Sequence, residues 1–415
     1  MKRIYLDYAA TTPLDPRVLR VMKPFFTTHF GNPSALYEEG VSAKKAVDAA
    51  RARVARTLEA HSDEIVFTSG GTEANNLALL GIIQALRKTA SSKVLGNARF
   101  ARSRHFEDAF RFVPHIVTTN IEHSSVLEPL CALVSQGRAV VSFVPVEANG
   151  IVSPAKILKA VRPNTALVSV MYANNEIGTI QAIAQIGKLL KMSRRDPPLF
   201  HTDACQAPLF LNCLVNYLGV DLMSFDGHKM YGPKGVGALY LRRGTPITPI
   251  LRGGGQERGL RPTTENVASI VGFAEALRLA LVARTKESLR VARLRDELHT
   301  LIRANKKTSD AILLNGDMKE RLPNNLNISL SGIDTEMFVL QLDAAGIAVS
   351  TKSSCLRDER ESYVVAALGG APWRAASSLR FSLGRGTTLA EVREVARAFA
   401  RSILSVSWRT SPSNR

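Results

Sequence analysis

The sequence predicts an α/β fold, with a large domain built on a mostly parallel sheet and a smaller C-terminal α/β domain. Three observations predict it. From Glu64 to Leu241, short apolar runs of strand length alternate with stretches of helical spacing. Hydrophobic residues make up 45% of the 415 residues, enough for a large core and for two or three domains. From Ala268 to Asn305 one amphipathic, arginine-rich helical pattern continues without a break, a plausible link between domains.

In chain order, residues 1–16 read as an extended arm with turn signals at Thr12-Pro13 and Asp15-Pro16. Helical spacing follows from Arg17 to about Phe26, then a loop at Gly31-Asn32-Pro33-Ser34, then a long helix from Tyr37 to Leu58. The alternation then gives strands at Glu64–Thr68, His115–Thr118, Val140–Val144, Thr165–Met171 and Leu199–Thr202. Helices fall between them at Glu73–Arg87, Ser125–Ser135, Ser153–Ala160 and Ile183–Lys191. Apolar runs at Val220–Met223 and Val236–Leu241 bracket a glycine-rich loop carrying His228 and Lys229. The expected small domain holds Asn325–Leu330, a helix at Thr335–Ala345, strands at Ala348–Ser350 and Leu379–Phe381, and a last helix from Leu389. The expected division is thus an arm at 1–16, a large domain at 17–262 and a small domain at 263–415.

Charge and cysteine usage narrow the setting. The formal net charge is +18, which fits contact with an acidic partner (a tRNA, an acidic carrier protein, a phosphorylated ligand) and equally a basic chain kept soluble by charge. The start is basic but meets Asp7 before any apolar core, unlike a signal peptide, and no apolar run has the length of a membrane span. The cysteines Cys131, Cys205, Cys213 and Cys355 form no CxxC or metal-ligand cluster, so a reduced, cytoplasmic protein is expected. Cys131 and Cys213 read as small core residues. Residues 87–111 stand out, with seven Lys or Arg against two acids and Phe100, Phe106 and Phe110 interleaved. They read as a surface insertion, or as a basic and aromatic face for RNA or a protein partner.

Several short stretches carry chemistry. A lysine at the end of a buried strand is costly unless its charge is used, and a lowered pKa makes the amine of Lys229 a nucleophile for a carbonyl. Ile65–Asn76 reads as strand, glycine turn and helix start; Gly71 lets the backbone approach an anion, and Thr72 adds a hydroxyl. Asp203 ends an apolar strand, where it suits either a protonated ring nitrogen or a helix cap. Asn175 and His123 also follow strands; an imidazole there fits stacking on a flat ring, proton transfer or a structural role.

In that order these stretches resemble fold-type I pyridoxal-phosphate-dependent transferases. More narrowly, they resemble the cysteine desulfurases of the class V aminotransferase group. The matching stretches are Leu6–Thr12, Gly31–Ser34, Ser69–Asn76, Glu122-His123, Asn174–Gly178, Asp203–Gln206, Gly227–Gly235, Gly253–Glu257, Thr264–Asn266 and Ser378–Gly384, spanning nearly the whole chain. The resemblance implies pyridoxal 5'-phosphate as cofactor, L-cysteine as substrate and a homodimer. It implies that Lys229 binds the cofactor and moves the α-proton, and that His123 stacks on the ring. Asp203 would hold the pyridinium, and Asn175 and Gln206 the ring oxygen. Gly71, Thr72 and His228, with Thr264 of a second copy, would hold the phosphate, and Arg380 the substrate carboxylate. Cys355 would attack the substrate sulfur, leaving alanine and an enzyme persulfide destined, through an acceptor protein, for iron–sulfur assembly or tRNA thiolation. Lys352 and Arg357 flank it and favour its thiolate.

The chain departs from the family pattern at Thr351-Lys352 in the cysteine loop and in the charged run Leu356–Glu361. It departs again at Pro262-Thr263, and at Asp226, where the family has serine beside the phosphate. Two other readings remain open: a class V aminotransferase or selenocysteine lyase, and a catalytically decayed RNA- or carrier-binding protein.

Overall fold

The architecture follows from period-two burial along the strands. The computed structural model describes residues 3–95, 113–304, 309–351 and 361–405. Cys355 and residues 96–111 of the basic segment lie outside them. In β2 (Ile65–Thr68), Ile65 and Phe67 face one apolar cluster and Val66 the other; in β7 (Leu222–Asp226), Met223 and Phe225 face the first and Leu222 the second. A sheet so loaded on both faces must be covered on both faces. The helix Glu38–Leu58 supplies Val47, Val54 and Leu58 on one side; the helix Gly71–Leu95 supplies Leu77, Ile82 and Ile83 on the other.

The central sheet also contains β3 (His115–Thr119), β4 (Val140–Val144), β5 (Thr165–Ser169), β6 (Leu199–Asp203) and β8 (Gly237–Leu241), in the order β2-β8-β7-β6-β5-β3-β4. Only β8 runs against the others, so the carboxyl ends of β2, β3, β5, β6 and β7 share one edge. A second sheet, antiparallel, has the order β12-β10-β9, with β9 at Ile312–Leu314, β10 at Asn325–Leu330 and β12 at Ser378–Ser382. The arm contributes β1 (Ile4–Tyr5), which pairs in parallel with β11 (Ile347–Ala348). Ile4 and Leu6 are thereby buried in the cluster around the second sheet. The helix Val267–Arg303 serves both parts: Phe273 and Leu277 join the first cluster, Val291, Leu298 and Ile302 the cluster of the second sheet. Among the described residues, no helix is long and apolar enough to cross a membrane.

Three sequence expectations need correction. The helical pattern from Arg17 to Phe26 is two helices, Pro16–Met22 and Pro24–Thr27, because Pro24 has no N–H to continue the first. The helix expected at Glu73–Arg87 runs from Gly71 to Leu95, into the segment expected to be an insertion. Cys131 is exposed: in the helix Ser124–Ser135 the buried stripe is Val126, Leu130 and Leu133, and position 131 falls off that face.

Candidate active site

The shared carboxyl edge of the sheet opens into a cleft with about 760 Å³ of open space. Its wall includes Gly71, Thr72, His123, Asn175, Asp203, Gln206, His228, Lys229 and Arg380. Nine of the residues singled out from sequence are therefore neighbours in space. Thr264 is not among them. It lines a separate cleft with Thr68, Gly235, Arg261 and Thr263.

Lys229 sits in a short 3-10 turn, Gly227–Lys229, at the end of β7. Its Nζ donates to the carbonyls of Ala9 (2.8 Å) and Ala10 (2.7 Å), so the arm holds the amine at the cleft. The turn is pinned from below: Tyr231 takes φ +63°, its N–H donates to Thr12 Oγ1 (2.7 Å) and its hydroxyl accepts from Arg385 N–H (2.7 Å). A non-glycine residue in that region stays only where its surroundings hold it.

Asp203 ends β6. One oxygen accepts from Cys205 N–H (2.9 Å), the other from Asn75 Nδ2 (2.7 Å). Asn75 also donates to Ser125 Oγ (2.8 Å), and its own Oδ1, fully buried, has no partner among the described residues. Ser125 in turn meets His123 Nδ1 at 2.8 Å, and His123 caps the helix Ser124–Ser135 by accepting from Ser125 N–H (3.1 Å). This chain of contacts fixes the imidazole and carboxylate relative to each other. Behind them His201 is buried between Ser169 and Ser224, and burial pushes its pKa down to about 4, so it stays neutral.

Arg380 is 1% exposed, an unusual place for a guanidinium. It donates to Asn175 O (2.8 Å) and to Asp7 Oδ1 (2.7 Å), and its Nε has no partner among the described residues. Gln206 Nε2 donates to Ala9 O (3.0 Å). At the start of the helix Gly71–Leu95, a Cβ on Gly71 would lie 2.5 Å from Cys205 Sγ, so only glycine permits this approach. The backbone N–H of Gly71 donates to Asp226 Oδ2 (2.8 Å), and Asp226 Oδ1 lies 3.4 Å from His228 Nε2. Burial opposes ionisation of Asp226, but His228, the Gly71 N–H and Lys229 together hold its pKa below the usual value.

Sequence reasoning assigned no role to Asn75, Ser125, Asp7 or the Ala9 and Ala10 carbonyls. Asn75 was findable: it follows Thr72 by three on a helix, so both face the same way. The arm's carbonyls leave no side-chain signature at all.

The donor set suits an anionic aromatic aldehyde: a helix start and Thr72 for an anion, a carboxylate locked by Asn75 for a ring cation, and an amine for a carbonyl. Asp226, an anion already at the helix start, is the single misfit.

The family model for class-V aminotransferases matches residues 4–97 and 103–395. A cysteine desulfurase IscS of Dictyoglomus turgidum is 42% identical, the alignment covering 94% of this chain and 91% of that protein. One from Clostridium botulinum strain Hall is 44% identical over 93% and 91%. Among solved structures, a NifS-like protein superposes with a TM-score of 0.84 at 33% identity, covering 97% of this chain and 99% of that one. SspA in complex with cysteine does so with a TM-score of 0.74 at 31% identity, covering 92% and 98%.

Proposed function

The chain belongs to the class-V aminotransferase family, a pyridoxal-phosphate-dependent family, and we propose that it is a cysteine desulfurase that moves sulfur from L-cysteine to its own Cys355. The observation that carries this reading is the convergence of Lys229, Asp203 and Arg380 on one cleft, in a chain 42–44% identical to cysteine desulfurases.

Bound pyridoxal phosphate supplies an electron sink that loosens bonds at the α-carbon of an amino acid. The chain's own residues do the rest. Lys229, its amine held at the cleft by two arm carbonyls, would hold the cofactor by its aldehyde and would carry the substrate's α-proton. Asp203, held at both oxygens, would keep a ring nitrogen of the cofactor protonated. His123 would offer the cofactor's ring a flat face and a nitrogen for proton transfer. Arg380 takes the substrate carboxylate with its planar fork. Cys355, as thiolate, attacks the substrate sulfur: an S–S bond forms, the C–S bond breaks, and the carbon side takes up a proton to leave as alanine. The balance is cysteine plus thiol giving alanine plus persulfide, with no external oxidant. A second copy of the chain is proposed to bring its Thr264 to the phosphate, since Thr264 lies outside the cleft of its own chain.

The test is to supply L-cysteine and measure alanine and protein mass together. Wild type gains one sulfur atom and releases alanine, whereas Cys355→Ala does neither. Sulfur uptake by the variant makes another residue the acceptor. Amino exchange with a keto acid in place of persulfide formation makes the chain an aminotransferase.

A further inference from the structure

The start of the helix Gly71–Leu95 is the cleft's anion cradle, and a side chain of the protein already occupies it. Asp226 Oδ2 accepts from Gly71 N–H at 2.8 Å, and Cβ atoms on Gly70 or Gly71 would each lie 3.3 Å from that oxygen. The carboxylate therefore packs on bare backbone, where an anion gains most from the helix dipole. Its other oxygen accepts from His228 N–H (3.3 Å) and faces the His228 ring. Lys229 adds positive charge from the same turn; Asp203 and Asp226 both bear on the Cys205 thiol beneath, whose burial keeps it neutral. The same cleft wall carries the fully buried, unpartnered Asn75 Oδ1. The mouth beside it is lined by Thr11, Ser69, Thr72, Glu73, Asp226 and Lys234.

We propose that Asp226 is a built-in occupant of this cradle: it holds the helix start when no cofactor is bound and must leave the Gly71 N–H as the cofactor's phosphate enters. The proposal rests on the pyridoxal-phosphate reading above. Two anions cannot share one N–H donor without repulsion, and the incoming phosphate carries about two charges near neutral pH. The cofactor-free protein gains from Asp226 and the loaded protein loses by it. Removing the carboxylate thus has opposite effects on the two states, a pattern that loss of a merely structural contact does not give.

The experiment compares wild type with Asp226→Ser and Asp226→Asn, the second nearly isosteric. Pyridoxal phosphate is titrated into cofactor-free protein and followed by the lysine-linked absorbance. Thermal unfolding of the cofactor-free proteins is recorded with and without inorganic phosphate. Both variants are expected to bind pyridoxal phosphate about tenfold or more tightly than wild type, a difference of about 1.4 kcal/mol. They are expected to melt lower without ligand, and to gain more than wild type from phosphate. Equal or weaker cofactor binding by both variants, or equal phosphate shifts, overturns the proposal and leaves the reading of the site intact. If no form, wild type included, binds pyridoxal phosphate, both fall together.

Discussion

Glu122 has no exposed surface, and its two oxygens are treated unequally. Oε1 accepts from Thr119 Oγ1 (2.6 Å) and from Met171 N–H (3.0 Å), whereas Oε2 has no partner among the described residues. Burial pushes its pKa up to about 8 from 4.5, and Asp203 pushes the same way against the two hydrogen bonds. Between those values the folded protein keeps a proton that the unfolded chain has released. Stability from this group is therefore present at low pH and lost as pH rises toward 8, at about 1.4 kcal/mol per pH unit. Glu122→Gln has the same shape and no titration. Between about pH 5.5 and about pH 7.5 wild type should lose about 2.7 kcal/mol relative to the variant, two units at that slope. Urea unfolding at both pH values reads the difference. Infrared spectroscopy reads it directly, as a protonated carboxyl band present in wild type near neutral pH and missing in the variant. If the two stability curves run parallel and the band is absent, Glu122 is ionised in the fold and the reasoning fails.

Three further outcomes are expected. Glu257→Ala should cost about 3 kcal/mol in urea unfolding, because buried Glu257 binds Arg51 at both oxygens and accepts from Phe67 N–H (2.9 Å), and its loss leaves the largely covered Arg51, 11% exposed, without its ion-pair partner. Lys229→Ala should keep the far-ultraviolet dichroism of wild type while losing the absorbance that borohydride abolishes; a reducible chromophore elsewhere in the variant would show another lysine at work. Arg380→Lys should raise KM for cysteine about tenfold or more, since a point charge replaces a fork that holds Asn175 O and Asp7 while facing the cleft. An unchanged KM would remove Arg380 from carboxylate binding.

The order of strands and helices was legible because each strand carries its own signature. Branched and aromatic residues in Ile65–Thr68 are enough to mark that strand, whereas the strand expected at Val220–Met223 runs instead from Leu222 to Asp226, past the apolar run that signals it. Asp203 and Lys229 were legible for the same reason, as charged residues at strand ends. The helix pair at residues 16–27 was misread because periodicity alone does not register a missing N–H at Pro24. The contacts of Lys229 and Gln206 with Ala9 and Ala10 were invisible, since they join backbone atoms of one segment to side chains about 200 positions away. Short-range pattern cannot encode such pairs. Nor does the aspartate that ends β7 announce that it will lie on the N–H of a residue 155 positions earlier.

The arm also imposes an order on assembly in time. Asp7 leaves the ribosome long before its partners: Ile347 and Ala348 pair with Ile4 and Tyr5, Ser382 bridges to Asp7, and Arg380 binds the Asp7 carboxylate. At 5–20 residues per second, the 373 positions from Asp7 to Arg380 take roughly 20–75 s to make. Through that interval the sheet and its helices have the sequence they need, yet the carboxylate fork of the cleft does not exist. A nascent chain can thus complete its scaffold without completing a site able to grip an amino acid. Translation that stops short of β11 leaves the arm with no strand to join and Leu6 without the cluster that buries it.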